Sequence, residues 1–312
     1  MSSISQVSVA PESKSASREV ASKGQVRKYM PMYLSIAPYY IIFLVFGLFP
    51  ILFSLYLAFQ KWDGIGAMTF TGWNNFYFAL TDPVFGQAII NTFEIWIIST
   101  IPMLAVALVL AFALNMRTRS KFMYQVCYFL PNITATVAIT LIFSALFAEQ
   151  FGLINLALTG LHLPGVNWLT DAWPMKWALA LMVIWRWTGY NSLVYMAGLQ
   201  SIPTDFYEAA RIDGANTWNV FRYITIPLLR PVILFTVISS TLGGLSLFTE
   251  PQVLFGSSGG TGHEGLTMSL YQYGQAFTSF HYGYGAAIGW VISIILVICT
   301  FINWNVVQRT ER

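Results

Sequence analysis

From Tyr29 to Gln60 the chain carries no charged residue, and that single run restricts its fold more than any other feature. About 20 consecutive apolar residues suffice to cross a bilayer as a helix. Inside hydrocarbon, only a helix or a closed barrel satisfies the backbone hydrogen bonds. Two more such stretches follow: Pro83–Met116, interrupted only by Glu94, and Phe122–Ala148, with no charge at all. We place helix 1 near Tyr33–Ala58 and assign helices 2 and 3 to these stretches, with Pro102 and Pro131 expected to kink them. Helix 4 is expected between Lys176 and Asp205 with the one internal charge Arg186, helix 5 over Pro231–Phe248, and helix 6 from near Gly283 to just before Arg309. The expected fold class is therefore an all-α integral membrane protein with about six transmembrane helices.

Composition agrees. Only 9% of the 312 residues are charged and 56% are hydrophobic, whereas a soluble domain is typically about 25% charged. The 24 Phe, 16 Tyr and 11 Trp supply aromatic belts for the two headgroup regions. A formal net charge of +3 is too small to point to nucleic acid. Cys127 and Cys299 both fall in apolar runs without metal-ligand spacing and read as packing residues.

Residues 1–28 are rich in Ser, Lys and Arg and lack an apolar core, so they read as a solvated tail ahead of a membrane domain spanning residues 29–312. The cations sort by loop. The tail carries Lys14, Arg18, Lys23, Arg27 and Lys28, the second loop Arg117, Arg119 and Lys121, the fourth loop Arg211, Arg222 and Arg230, and the C-terminus Arg309 and Arg312. The odd-numbered loops offer only Lys61 and Lys176. Cations concentrate on the cytoplasmic side of membrane proteins, so Met1 and Arg312 are both predicted to be cytoplasmic, and the Gly256–Tyr282 segment to lie outside.

The loop between helices 4 and 5, residues 201–227, has its own punctuation. Pro203 with Thr204 or Asp205 suits a helix start, Gly214 the position just past its end, Asn216 or Thr217 the cap of a second helix, and Pro227 its end. A helix, a glycine turn and another helix are predicted. Within it, Glu208-Ala209-Ala210, then Gly214, then Ile224, Ile226 and Pro227 occur at a spacing that resembles the coupling loop of ABC importer permeases. Ile226 stands where that pattern has Leu, a volume-conserving exchange. Further segments resemble the carbohydrate-uptake permeases of that class: Phe49-Pro50, Phe70-Thr-Gly-Trp-Asn-Asn-Phe76, Asn91-Thr92, Leu130-Pro131 and Ala197 through Pro203. The loop Phe255–His263 departs, being Gly/Ser-rich where relatives carry Thr-Gly-Gly-Pro.

This resemblance implies a type I ABC importer permease fold in a bacterial or archaeal inner membrane. It also implies a second permease subunit, two ATP-binding subunits that hold ATP and magnesium, and an extracytoplasmic solute-binding protein that delivers a sugar. Glu208, Ala209, Ala210, Asp213, Gly214 and Pro227 would form the ATPase-coupling element, with the alanines permitting close approach and Glu208 offering a carboxylate.

No Gly-Lys dipeptide and no His-Glu-x-x-His occurs, so neither a Walker-A phosphate cradle nor a zinc protease signature is present. Gly256-Ser-Ser-Gly-Gly260 matches a nucleophile elbow in letters but lacks its strand-turn-helix setting. A secondary transporter or channel would place several ionisable residues within the membrane; Glu94 and Arg186 alone qualify here. Arg186 should face the bundle interior or a water cavity, either paired, with Glu94 a candidate partner, or acting at the conduit. Sugars are held by aromatic faces and directional hydrogen bonds. Tyr190, Asn191 and Tyr195 of helix 4 and Ser239, Ser240 and Ser246 of helix 5 can supply both, although helix packing alone would also use such residues. The scarcity of outer cations favours a neutral solute.

Overall fold

The computed structural model describes residues 14–115 and 121–309. Met1, Arg117, Arg119 and Arg312, used above for topology, lie outside the described residues. Helices dominate: α1 (Lys14–Phe43), α2 (Phe49–Ala58), α3 (Asn74–Thr81), α4 (Pro83–Asn115), α5 (Lys121–Ile133), α6 (Thr136–Leu146) and α7 (Leu153–Gly160) form the first half. They are followed by α8 (Ala172–Gln200), α9 (Thr204–Ile212), α10 (Thr217–Val220), α11 (Ile226–Leu245), α12 (Thr249–Phe255), α13 (Met268–Tyr273) and α14 (Tyr282–Arg309). A two-residue antiparallel ladder joins β1 (Gln60–Lys61) to β2 (Thr69–Phe70).

The chain divides after Tyr56. In the first unit α1 passes through a wide π turn at Leu44–Leu48 into α2. The helix starts at Lys14, so the latter half of the expected polar tail is helical. The π turn has a cause in Pro50. A proline cannot donate to the carbonyl four residues back and its ring crowds that carbonyl; widening the preceding turn relieves the conflict, and Phe49 N–H bonds to Leu44 O instead. Pro227 repeats the arrangement in the second unit, where Phe221–Thr225 form a π turn and Ile226 N–H bonds to Phe221 O. Pro227 therefore opens α11 as part of one continuous rod and does not end the preceding helix, contrary to the sequence reading.

Four helical segments are long and apolar enough to span a membrane, Tyr29–Ala58, Pro83–Asn115, Thr217–Phe255 and Tyr282–Val306, and the bent pair α5/α6 makes a fifth. That pair corrects the single helix 3: the two halves meet at 94°. Pro131 withdraws one backbone donor near the end of α5, the Thr134 hydroxyl binds the Leu130 carbonyl at 3.0 Å, and Ala135 takes an extended conformation that restarts the helix. Pro102, by contrast, leaves α4 uninterrupted. The sixth expected span, α8, is 29 residues long but is too polar to rank with the others. It begins before Lys176 and encloses it, which removes that residue from the outer loop. α14 likewise runs through Arg309 instead of stopping before it.

In the second unit α8 lies along α4, and apolar groups stack in three layers down α4. Phe85 and Ala88 meet Met268, Leu270, Ile288 and Ile292. Ile95 meets Ile139, Leu179 and Met182. Ala107 and Ala111 meet Tyr195, Leu199 and Leu229. Small side chains allow helices without a hydrophobic drive between them to touch closely. The extreme case is Gly189, where a Cβ would lie 1.7 Å from the Tyr128 carbonyl oxygen. At one end, Asn75 Nδ2 donates to Ala58 O and Gln60 O at 2.9 Å each, tying α3 to the β1 strand.

Asp82 fixes the start of α4. Its Oδ1 accepts from the Val84 and Phe85 amides at 2.9 and 3.4 Å. Its Oδ2 accepts from the Tyr271 hydroxyl and from the Tyr284 hydroxyl at 2.9 Å. Burial alone would raise this carboxyl, but the two tyrosine and two amide bonds outweigh it and hold it below its ordinary value. Burial, reinforced by the Asp82 carboxylate, pushes Tyr271 up to about 12.

Two outcomes are expected. Gly189→Ala should destabilise by about 1–3 kcal/mol or more through overpacking against a backbone atom, whereas Gly86→Ala, whose added Cβ meets nothing within 4 Å, should be neutral; melting of the purified protein in detergent distinguishes them. A carboxyl depressed on folding stabilises above its unfolded value of 3.8 and loses that contribution as pH falls through the folded value. Asp82→Asn should therefore melt below wild type across roughly pH 5 to 9, with the gap closing below about pH 4; a pH-independent gap would show that Asp82 contributes nothing through its charge.

Candidate functional site

A cavity of about 460 Å³ opens between α8, α11, α12 and the middle of α4, with Thr136 of α6 at its edge. Helical periodicity explains its α8 wall, since Arg186, Tyr190 and Asn191 with Val183 and Trp187 recur at intervals of three and four and so share one face. The opposite wall, from α11, presents Ser239, Ser240, Gly243 and Gly244, and beyond the end of that helix Ser246 and Phe248. Gly244 permits close approach, because a Cβ there would sit 2.6 Å from Trp96 Cδ1. The lining is thus hydroxyls, one carboxamide, aromatic groups and one ion pair, a composition suited to a polar uncharged solute.

Of the eight residues proposed for a solute path, the structure brings six to this cavity: Arg186, Tyr190, Asn191, Ser239, Ser240 and Ser246. Tyr195 lies further along α8 in the core and its hydroxyl accepts from Thr236 Oγ1 at 2.7 Å. Glu94 is elsewhere too, at 2.5 Å from Lys176 Nζ, which also meets Glu264 at 3.0 Å and the Trp173 ring at 5.4 Å. Arg186 does not pair with Glu94; its Nη1 meets Glu250 Oε1 at 3.0 Å. Glu250 and Glu264 were not singled out in the sequence, and Lys176 was read only as an outer-loop cation. The clue was available: Glu250 is the only Asp, Glu, Lys or Arg between Arg230 and Glu264, and a buried cation requires a counter-charge.

At the other end of α8 the predicted hairpin is present. α9 starts after Pro203 and ends at Asp213, its C-cap, with Gly214 at φ +74. Ala215 N–H bonds to Ala210 O at 2.9 Å and Gly214 N–H to Arg211 O at 3.1 Å, the paired bonds that close a helix through a left-handed residue. Asn216 caps α10 by accepting from Asn219 N at 2.8 Å. Glu208 and Ala209 are exposed, whereas Ala210 is buried against the bundle, so only Ala209 of the two alanines faces outward. Phe206, Ile212 and Trp218 stand beside them, exposed at 49%, 87% and 62%. These apolar tips form an exposed patch on an otherwise polar hairpin. α8 feeds this hairpin directly, and the π turn joins it to α11, so both principal walls of the cavity are covalently continuous with it.

Comparison with known proteins agrees with this architecture. The lactose transport system permease protein of Rhizobium radiobacter is 36% identical over 296 residues, covering 93% of this chain and 99% of that protein. The arabinooligosaccharides transport system permease protein of Bacillus subtilis is 37% identical over 273 residues, covering 87% of this chain and 86% of its own length. A chain from the crystal structure of a bacterial ABC transporter that imports the acidic polysaccharide alginate matches with a TM-score of 0.80, 22% identity and coverage of 93% of this chain and 99% of that one; that likeness bears on the fold. The family model described as binding-protein-dependent transport system inner membrane component matches residues 93–312. With a matched segment that takes in α8, the exposed hairpin and the cavity walls, the chain belongs to the family of inner membrane components of binding-protein-dependent transport systems.

Proposed function

We propose that this chain is one of two pore subunits of an ATP-driven importer and carries a sugar or oligosaccharide through the cavity between α8 and α11. The observation that carries the reading is the continuity just described: the exposed hairpin of α9 and α10 lies between the two helices that wall the cavity. A push on the hairpin moves both walls. The names of the relatives, which concern lactose and arabinooligosaccharides, support a carbohydrate as cargo, and hydroxyl, carboxamide and aromatic groups are the chemistry that holds one.

In this reading α9 docks into a groove on an ATP-hydrolysing partner, with Phe206 and Ile212 entering apolar pockets and Glu208 making a charge-assisted contact at the rim. The pore chain has no phosphate cradle, so a pair of partner subunits binds ATP and magnesium. A second permease subunit completes the path, and an extracytoplasmic binding protein delivers the sugar. Both termini and the α9/α10 hairpin face the cytoplasm, and the Gly256–Tyr282 segment faces outward.

Gly214→Val should penalise the φ +74 conformation by about 1 kcal/mol or more and turn α10 away from α9. Since nothing lies within 4 Å of a Cβ there, the fault is one of backbone angle and not of packing. We expect this variant and Ala209→Trp to insert normally, to retain less ATPase on copurification, and to lose transport; normal sugar uptake in both would refute the coupling role. Topology is checked by labelling in a cysteine-free background. A cysteine at Ser257 should react with an impermeant reagent in intact cells and one at Ile212 only after permeabilisation, and the opposite pattern would invert the assignment.

A further inference from the structure

Resting on the reading of the α8/α11 cavity as a sugar site, we infer that the Arg186–Glu250 ion pair is its charge filter and its principal hydroxyl-recognition element, selecting neutral glycosides over those bearing carboxylates. The pair is deep in the wall, with side chains 13% and 8% exposed. No other Asp, Glu, Lys, Arg or His lines the cavity among the described residues. The two charges cancel, so the site as a whole offers an entering anion no net attraction.

The hydrogen bonding of the pair is unusually incomplete. A guanidinium has five N–H donors in a planar fork, and within the described protein Arg186 uses one, from Nη1 to Glu250 Oε1. Its Nε is enclosed with no protein acceptor. Glu250, buried to 94% of its surface, lines the cavity and takes its one protein bond at Oε1. Buried ion pairs normally have their remaining donors and acceptors met, because unmet ones are costly. A group that accepts beside Arg186 and donates beside Glu250 would complete the pair's hydrogen bonding. Two adjacent hydroxyls of a sugar ring do both at once, since each hydroxyl can donate and accept. A carboxylate cannot donate. It would compete with Glu250 for the guanidinium and leave an excess negative charge in a poorly solvated cavity.

Both kinds of glycoside carry ring hydroxyls, so charge sets the preference between them, and a single change should reverse it. Glu250→Gln keeps the size of the side chain and leaves Arg186 uncompensated; Ser240→Lys adds a cation to the facing wall without touching the pair. The measurement is ligand-dependent thermal stabilisation of the assembled transporter, without binding protein, in nanodiscs. The probes are three neutral disaccharides, lactose, maltose and trehalose, and the anionic digalacturonate. Wild type should be stabilised by at least one neutral sugar and not by digalacturonate. Glu250→Gln should weaken the neutral response by about tenfold or more and acquire a response to digalacturonate, and Ser240→Lys should acquire the latter too. If Glu250→Gln fails to assemble, Ser240→Lys decides. Digalacturonate stabilising wild type as strongly as the neutral sugars, or charge variants that leave the preference unchanged, would overturn the filter. Asn191→Ala separates the two readings: if it abolishes the neutral response while the charge variants change nothing, only the filter falls. If the response survives that change, or no neutral sugar acts on wild type, the sugar site itself is misplaced and the filter falls with it.

Discussion

Two cations on one helix organise this bundle. Lys176 and Arg186 sit on α8 at depths where an unpaired charge would be expelled or neutralised, and their three carboxylates come from other segments: Glu94 from α4, Glu250 from α12 and Glu264 from the loop before α13. The ion pairs therefore do what apolar contact between helices in lipid cannot, which is to specify one arrangement among many of similar dispersion energy. They fold the stretch after α11 back onto α8. That return brings Phe248 and Glu250 over the end of α11 and closes the cavity on the side where α11 itself has stopped.

Close packing and charge matching then divide the labour along α8. Near its middle Gly189 allows the α5 backbone into contact, while Arg186, Tyr190 and Asn191 turn toward the cavity. Toward its far end Tyr195 and Leu199 lock against α4 and α11, and the helix runs on into the exposed hairpin. The polar character that makes α8 a poor lipid-facing helix is what fits it to be the central one. Its neighbours bury Lys176, Thr188, Asn191 and Ser192, and both of its cations find carboxylates.

Much of this was legible in the chain itself, and the failures have physical causes. Long apolar runs gave the spans of α4 and α14 almost to the residue, because hydrocarbon solvation is a property of composition. Local chemistry gave the hairpin, since Gly214, Asn216 and Pro203 act within a few residues of themselves. Pairing across the fold was only partly legible: Arg186 was seen to need a partner and the isolated Glu250 was a clue, but it is distant in sequence and lies outside the stretch assigned to helix 5. Nor was the bend between α5 and α6, where Pro131 signalled a kink but not its angle of 94°. Tyr195 was assigned to the solute path on residue type alone; it shares a face with Asn191 one turn away, but residue type does not reveal where along that face the cavity ends and the core begins.

The π turn at Phe221–Thr225 has a geometric consequence for how such a machine is tuned. It inserts one residue beyond regular helical winding, and each residue of an α-helix turns the chain by about 100°. The azimuth of the exposed hairpin about the α11 axis is therefore decoupled from the azimuth of the cavity wall: the wall's serines keep their heading while the hairpin's is set by a one-residue phase offset upstream. Pro227, by making that offset the comfortable winding, acts as a detent. Two surfaces on one rod, the exposed hairpin and the cavity wall, can be indexed independently, much as a vernier sets one scale against another.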